Sequence, residues 1–331
     1  MKGKLKPQIT AALKTICRFG ESRHEQKRLN NGQSPSIHSV GTLDRVAHRL
    51  WPLAKWLSEK GEKDLEMLDE EMVAEYLLLR LKYHKIQGNS RHTLQTELSA
   101  LGNLCRGLTE FSLLHRPNPI IYDFSEVIAE FRPLLKSMPK TTSSYKNRAL
   151  PRPEEAISCL KKTKHRLMAE IQYRCGCRAE GVGAPQRSYP GSNKLLMRNF
   201  ILPDGEEAIK PVPDPITKKP VYPFWTCEKG GKVAIKHCPE DLAHRIFDWL
   251  QSNPEGLTEN YPTYLHGLNV AMRETGQHAK GRGTHSLRFN FAKNRYLDCI
   301  RSGMGDEQAK QYVSREMSHN RPDVTGGYLG A

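Results

Sequence analysis

The sequence predicts a mainly α-helical protein with a small antiparallel β-sheet, built as two domains. Three observations carry this expectation. Apolar residues recur at helical spacing from Ser39 to about Leu135. The stretch SMPKTTSSYKNRALPRP over 137–153 is rich in Ser, Thr, Pro and basic residues and has no apolar period, as a linker does. Beyond it helical runs resume, interrupted by β-branched and aromatic runs placed around the turn pairs DG and GG, which read as short antiparallel strands. A chain of 331 residues is long enough for each half to bury its own core.

Residues 1–36 carry eight Lys/Arg against Glu21 and Glu25 and end NNGQSPS, so they read as a basic arm, either laid along phosphates or solvated. The helical domain spans 37–136. Thr42 is a candidate N-cap ahead of Leu43, Val46, Leu50, Leu53 and Leu57, with a kink expected at Pro52. Asp69 is placed to cap a second helix with Met72, Val73, Tyr76, Leu77 and Leu81, and Ser90 a third with Leu94, Leu98, Leu101 and Cys105. Trp51 and Trp56 read as core, whereas Lys55, Arg91, His92 and Arg106 are candidate phosphate contacts. In the second domain, 154–331, helices are expected near Glu154–Leu160 and through Leu167, Ile171 and Tyr173 up to Arg178. The segments LLMRNFILPDG and KKPVYPFWTCEKGGKVAIKHCP read as strands, DLAHRIFDWLQ and TYLHGLNVAMRETG as helices, and Thr284 opens another.

The chain holds 51 Lys+Arg against 36 Asp+Glu, a net charge of +15, which favours a polyanionic partner and makes nucleic acid the first candidate. Its apolar runs are short and broken by charges, so neither a membrane span nor a signal peptide is expected. Eight cysteines without a CxxC pair point to reduced thiols in an intracellular setting. Cys175, Cys177, Cys227, His237 and Cys238 are the set that a zinc ion could draw together, but their spacings match no zinc knuckle, and no metal is expected.

The chemistry concentrates at the end of the chain. His285 and Arg288, three apart at the start of a helix, point the same way and can reach one anion, helped by the free N–H groups and partial positive charge of a helix N-terminus. His319 and Tyr328 follow across NRPDVTGG, where Pro322 and the Gly326-Gly327 pair are expected to break regular structure and leave the tyrosine on a loose segment. HxxR, then a histidine, then a tyrosine nine residues on resembles the C-terminal half of the tyrosine recombinase (phage-integrase) signature. Upstream, RCGCRAEGV places Arg178 where that family has its first arginine, and TCEKGGKVAIKHCPEDL places Lys229 in the family's hairpin turn, with Lys232 and Lys236 as competitors. The segment SRHTLQTELSALGNLCRGL resembles the third helical stretch of the family's SAM-like core-binding domain. The resemblance spans roughly Ser36 to Tyr328.

The resemblance implies a SAM-like core-binding domain followed by an α+β tyrosine-recombinase catalytic domain, with an insertion over 183–222. It also implies a metal-free, cofactor-free reaction in which Tyr328 attacks a DNA phosphodiester to give a 3′-phosphotyrosine. Arg178 and Arg288 would clamp the non-bridging oxygens, and Lys229 would protonate the leaving 5′-oxygen. His285 would act as base toward the tyrosine or hold a phosphate oxygen, and His319 would donate to another. Double-stranded recombination sites would be the substrate, with self-association into a tetramer at synapsis, accessory DNA-bending proteins as further partners, and a cytoplasmic, nucleoid-associated location serving a mobile element. Gly181 stands where the family usually has an acidic residue, three after the first arginine, and Met317-Ser318-His319 stands for its Leu-Gly-His. A related DNA-relaxing topoisomerase and a catalytically inactive DNA-binding regulator are the alternatives.

Overall fold

The computed structural model describes residues 1–21, 23–32, 34–139, 147–185, 194–202, 205, 209–228, 232–318 and 322–329. The chain divides into two compact units, Met1–Thr142 and Ser143–Ala331. Helices dominate both, and the second holds a three-stranded antiparallel sheet. Among the described residues no helix is long and apolar enough to cross a membrane.

The first unit is built on α1 (Leu5–Thr15), α2 (Arg23–Leu29), α3 (Val40–Glu59), α4 (Glu70–Ile86), α5 (Arg91–His115) and α6 (Ser125–Phe131). The expectation of a basic arm over 1–36 does not hold for its first part, which packs into the core as α1. Leu5, Ile9, Ala12, Leu13 and Ile16 form an apolar stripe at helical spacing that is fully buried in the core. The many lysines of this stretch occupy the other face and mask that stripe in a charge count. Helix α1 lies so close to α5 that a Cβ at Gly107 would sit 2.5 Å from the Ala12 carbonyl oxygen, a contact only glycine permits. Gln8 fastens it further, donating to the Gly3 and Lys63 carbonyls at 2.8 Å each and accepting from Leu65 N at 2.7 Å. Residues after α1 are pinned too, through Ile37 N to Ile16 O and Arg18 N to Ile37 O, both at 2.9 Å.

The cap of α3 is Ser39 rather than Thr42, its hydroxyl accepting from Thr42 N at 3.2 Å, and the helix continues through Pro52. Asp69 caps α4 as its sequence position suggests, accepting from Met72 N at 2.8 Å. Ser90 holds the N-cap position of α5. Trp56 is buried against Tyr76, while Trp51 is half-buried with Lys6 over its ring. Lys55 pairs loosely with Glu59, Arg106 donates to Asn103, and Arg91 and His92 open α5.

The second unit contains α7 (Pro153–Ser158), α8 (Thr163–Cys175), β1 (Val212–Pro213), β2 (Pro220–Glu228), β3 (Lys232–Pro239), α9 (Glu240–Ser252), α10 (Tyr261–Glu274), α11 (Thr284–Arg301), α12 (Asp306–Glu316) and α13 (Pro322–Leu329). Strands β2 and β3 pair from Val221 with Pro239 to Glu228 with Lys232. The sheet packs Tyr222 and Phe224 against α9 and α8 in a core with Ile171, Ile246, Tyr264 and Leu287. The segment LLMRNFILPDG, expected as a strand, instead forms a short 3-10 turn at Met197–Phe200. Asn199 explains this, because its side chain accepts from Leu196 N at 2.8 Å and so closes the turn locally, while donating to Trp225 O at 2.9 Å.

Helix α13 also corrects an expectation. Pro322 opens the helix instead of breaking it, as proline does at a first helical position, and both Gly326 and Gly327 lie inside. Tertiary packing decides this, since Thr325 and Tyr328 are buried and Tyr328 joins Phe289, Ala292, Val313 and Met317 in a second, smaller cluster.

Candidate active site

Helix α11 begins after Gly283, whose N–H donates to Ser286 Oγ at 3.1 Å, so the entry to the helix is fixed before its first turn. His285 and Arg288 then project from one face. His285 is half-buried, and its Nε2 lies 2.7 Å from the Tyr328 hydroxyl. The tyrosine ring rests on Phe289 with centroids 4.4 Å apart, and it is 7% exposed. Residues 43 apart in sequence are thus joined as a hydrogen-bonded imidazole–phenol pair. With Nε2 unprotonated, the histidine accepts the phenolic proton, which is the arrangement of a general base and its nucleophile.

Arg288 is fully buried. Its Nη1 donates to the Gly176 carbonyl at 2.7 Å and its Nη2 donates to the Met317 carbonyl. Gly176 terminates α8 in the left-handed region, φ 68°, and the Phe291 ring packs so closely that a Cβ there would lie 2.5 Å from it. Two residues on, Arg178 is half-buried in the short non-helical stretch that leads into a 3-10 turn at Glu180–Val182. A Cβ at Gly181 would meet Cβ of Thr226 on β2 at 3.3 Å, so the strand fills the space that a larger, acidic side chain would need.

His285, Arg288 and Tyr328 therefore come together, and the backbone just before Arg178 is bound to Arg288. Lys229 and His319 lie outside the described residues, as does the turn joining β2 to β3. Of the lysines that compete for the hairpin role, Lys236 is 2% exposed on β3 and its Nζ donates to the Glu316 carbonyl, with Ser318 Oγ at 3.4 Å.

Sequence reasoning missed a buried charge network beside these residues. Arg295, two turns beyond Arg288 on α11, donates to both Asp214 oxygens at 2.9 and 2.8 Å and to both Glu316 oxygens at 2.6 and 2.7 Å. Arg295 and the backbone N–H groups of Thr217 and Ile216 hold the Asp214 carboxyl down to about 2 against the opposing effect of burial. Only Asp214 carried a sequence signal, because Asp-Pro-Ile-Thr is a turn pattern in which the aspartate binds the following N–H groups. No group of three His, Cys, Asp or Glu among the described residues is arranged to hold a metal ion. Cys175 and Cys238 are buried and share a hydrogen bond, and burial pushes the Cys175 thiol up.

Comparison with protein-family models and with curated proteins finds no match. Comparison with solved structures does. The XerH site-specific recombinase bound to palindromic difH substrate, in a post-cleavage complex, superposes with a TM-score of 0.58 at 16% identity, covering 99% of this chain and 93% of that one. The pre-cleavage complex of XerH with difH gives the same score and coverage at 15% identity. The chain has the fold of the tyrosine recombinases.

Proposed function

We propose that this chain is a site-specific DNA recombinase that cuts and rejoins duplex DNA through a 3′-phosphotyrosine on Tyr328. The observation that carries this reading is the 2.7 Å contact of His285 Nε2 with the Tyr328 hydroxyl, one turn from a buried arginine, in a chain with the tyrosine-recombinase fold. In this mechanism His285 takes the phenolic proton as the oxygen attacks phosphorus. Arg288 and Arg178 balance the negative charge that gathers on the non-bridging oxygens. Lys229 delivers a proton to the departing 5′-oxygen, and His319 donates to a phosphate oxygen. The phosphotyrosine keeps the bond energy, so a 5′-hydroxyl from a second duplex reverses the attack without ATP. XerH is known bound to difH before and after cleavage. By that likeness the substrate here is a recombination site, brought together by four protomers, and the setting is the cytoplasm of a cell hosting a mobile element. Lys55, Arg91, His92 and Arg106 supply phosphate contacts from the first unit, and accessory DNA-bending proteins assist assembly.

The test is covalent capture on a nicked duplex built from the DNA flanking the chain's own gene, so that the cleaved strand diffuses away. A denaturation-resistant adduct mapping to Tyr328 is expected. An adduct mapping to Tyr312, or none on any flanking duplex, overturns the assignment.

A further inference from the structure

The network of Arg295, Asp214 and Glu316 centres on an arginine two helical turns beyond Arg288, and its members come from three separated parts of the chain. Asp214 lies in the turn after β1, within the stretch 183–222 that reads as an insertion. Arg295 lies on α11, and Glu316 is the last residue of α12. Both carboxylates are gripped through both oxygens by one planar guanidinium, an arrangement that fixes orientation as well as distance. All three are largely buried. Buried ion pairs gain little net stability over apolar packing, because desolvation offsets the attraction. Geometry is the better reason for their presence.

What that geometry controls is the backbone of 316–318. The Glu316 side chain is held by Arg295, its carbonyl by Lys236, and the next carbonyl, of Met317, receives Nη2 of Arg288. Ser318 follows in the left-handed region, φ 58°, a conformation that costs a residue other than glycine about 1 kcal/mol or more and persists where its surroundings impose it. Two of the groups that Arg288 donates to are the carbonyls of Gly176 and Met317. One of the two is therefore only as well placed as the turn that Arg295 holds.

Resting on the recombinase reading above, we infer that Asp214, Arg295 and Glu316 are positioning residues for strand cleavage, setting the 316–318 turn and, through the Met317 carbonyl, the plane of the Arg288 guanidinium. On this inference the segment bearing Asp214 is part of the working catalytic unit, and its Asp214–Thr217 turn cannot be trimmed without cost to the chemistry.

The experiment compares Asp214→Asn, Arg295→Met and Glu316→Gln with the unaltered chain in three measurements. Single-turnover cleavage of a nicked cognate duplex is expected to slow by about 10- to 100-fold, the scale of a misplaced catalytic group, while duplex affinity stays within about twofold. With a methylphosphonate at the scissile position, one charged oxygen fewer depends on Arg288, and the deficit should shrink. Backbone amide exchange at Met317 and Ser318, whose N–H groups bond to Val313 and Arg315 carbonyls, should quicken in the variants while exchange in α8 is unchanged. Should Arg295→Met not fold, Glu316→Gln, which keeps the shape and removes one charge, carries all three measurements. Equal loss of cleavage and affinity, or a deficit unchanged on the methylphosphonate, makes the network merely structural and overturns the inference. If the unaltered chain itself forms no adduct, the recombinase reading fails separately, and unchanged exchange at Met317 and Ser318 then overturns the positioning role by itself.

Discussion

Replacing Tyr328 with phenylalanine or with alanine separates the chemistry of this residue from its packing. Phenylalanine removes one hydroxyl, and with it the 2.7 Å contact to His285. A hydrogen bond of this kind contributes about 0.5–1.5 kcal/mol net. For a unit the size of Ser143–Ala331, that corresponds to a fall in Tm of about 1–6 °C. The ring stays on Phe289, and α13 stays docked. Alanine deletes a ring that is 7% exposed, which costs about 3–5 kcal/mol for a core aromatic. Its melting point should fall about four times as far. Cleavage should be lost in both, whereas DNA affinity should be close to normal in the phenylalanine variant alone. Scanning calorimetry, covalent capture and a binding isotherm on the same preparations make the comparison. A double-mutant cycle with His285→Ala should return a coupling of about 1 kcal/mol for a direct pair. Zero coupling, or an adduct formed by the phenylalanine variant, would refute the reasoning.

Further outcomes are expected elsewhere in the chain. Arg178→Ala and Arg288→Ala should each slow cleavage by about 100-fold or more, as loss of a preorganised donor does, read by single-turnover kinetics. Lys229→Ala should lose cleavage that a 5′-thiol leaving group restores, because a good leaving group needs no acid; rescue of Lys232→Ala in its place would move the role. Cleavage should persist in EDTA if arginines and a lysine supply the positive charge, and its loss there would contradict that assignment. Deleting 1–36 should lower the melting temperature of the first unit by removing the buried stripe of α1, and a change confined to the salt dependence of DNA binding would contradict the packing. The Asp214 carboxyl is held at about 2, below its ordinary 3.8, so the stability it contributes is present above pH 4 and is lost as pH falls toward 2. Asp214→Asn should flatten that part of the stability-versus-pH curve, measured by chemical denaturation.

Much of the fold was legible because the apolar period was clean where helices were long. Asp69 and Leu94 to Cys105 illustrate this, since a cap and a stripe at helical spacing need no tertiary information. Helix α1 was hidden by composition: lysines and an apolar stripe share one stretch, and only the partner surface on α5, opened by Gly107, shows which property wins. Helix α13 was hidden for the opposite reason. Its Pro-Asp-Val-Thr-Gly-Gly start carries every local signal of a turn, and burial of Thr325 and Tyr328 overrides them. The pairing of His285 with Tyr328 was within reach of motif reasoning, whereas Arg295 with Asp214 and Glu316 was not. Those partners lie 81 and 21 residues away and no short pattern joins them.

The carbonyls that Arg288 donates to help to explain how a buried guanidinium is tolerated. Gly176 and Met317 are the cap residues at the C-terminal ends of α8 and α12. Each helix end carries roughly half a negative charge, so two of them offset most of one arginine. The burial cost of Arg288 is thereby met in part by the backbone. Attraction for a polyanion is supplied by the basic excess of the whole chain. Arg288 should accordingly govern the cleavage step and the folding of the second unit together, because its loss leaves two buried carbonyls without their donor.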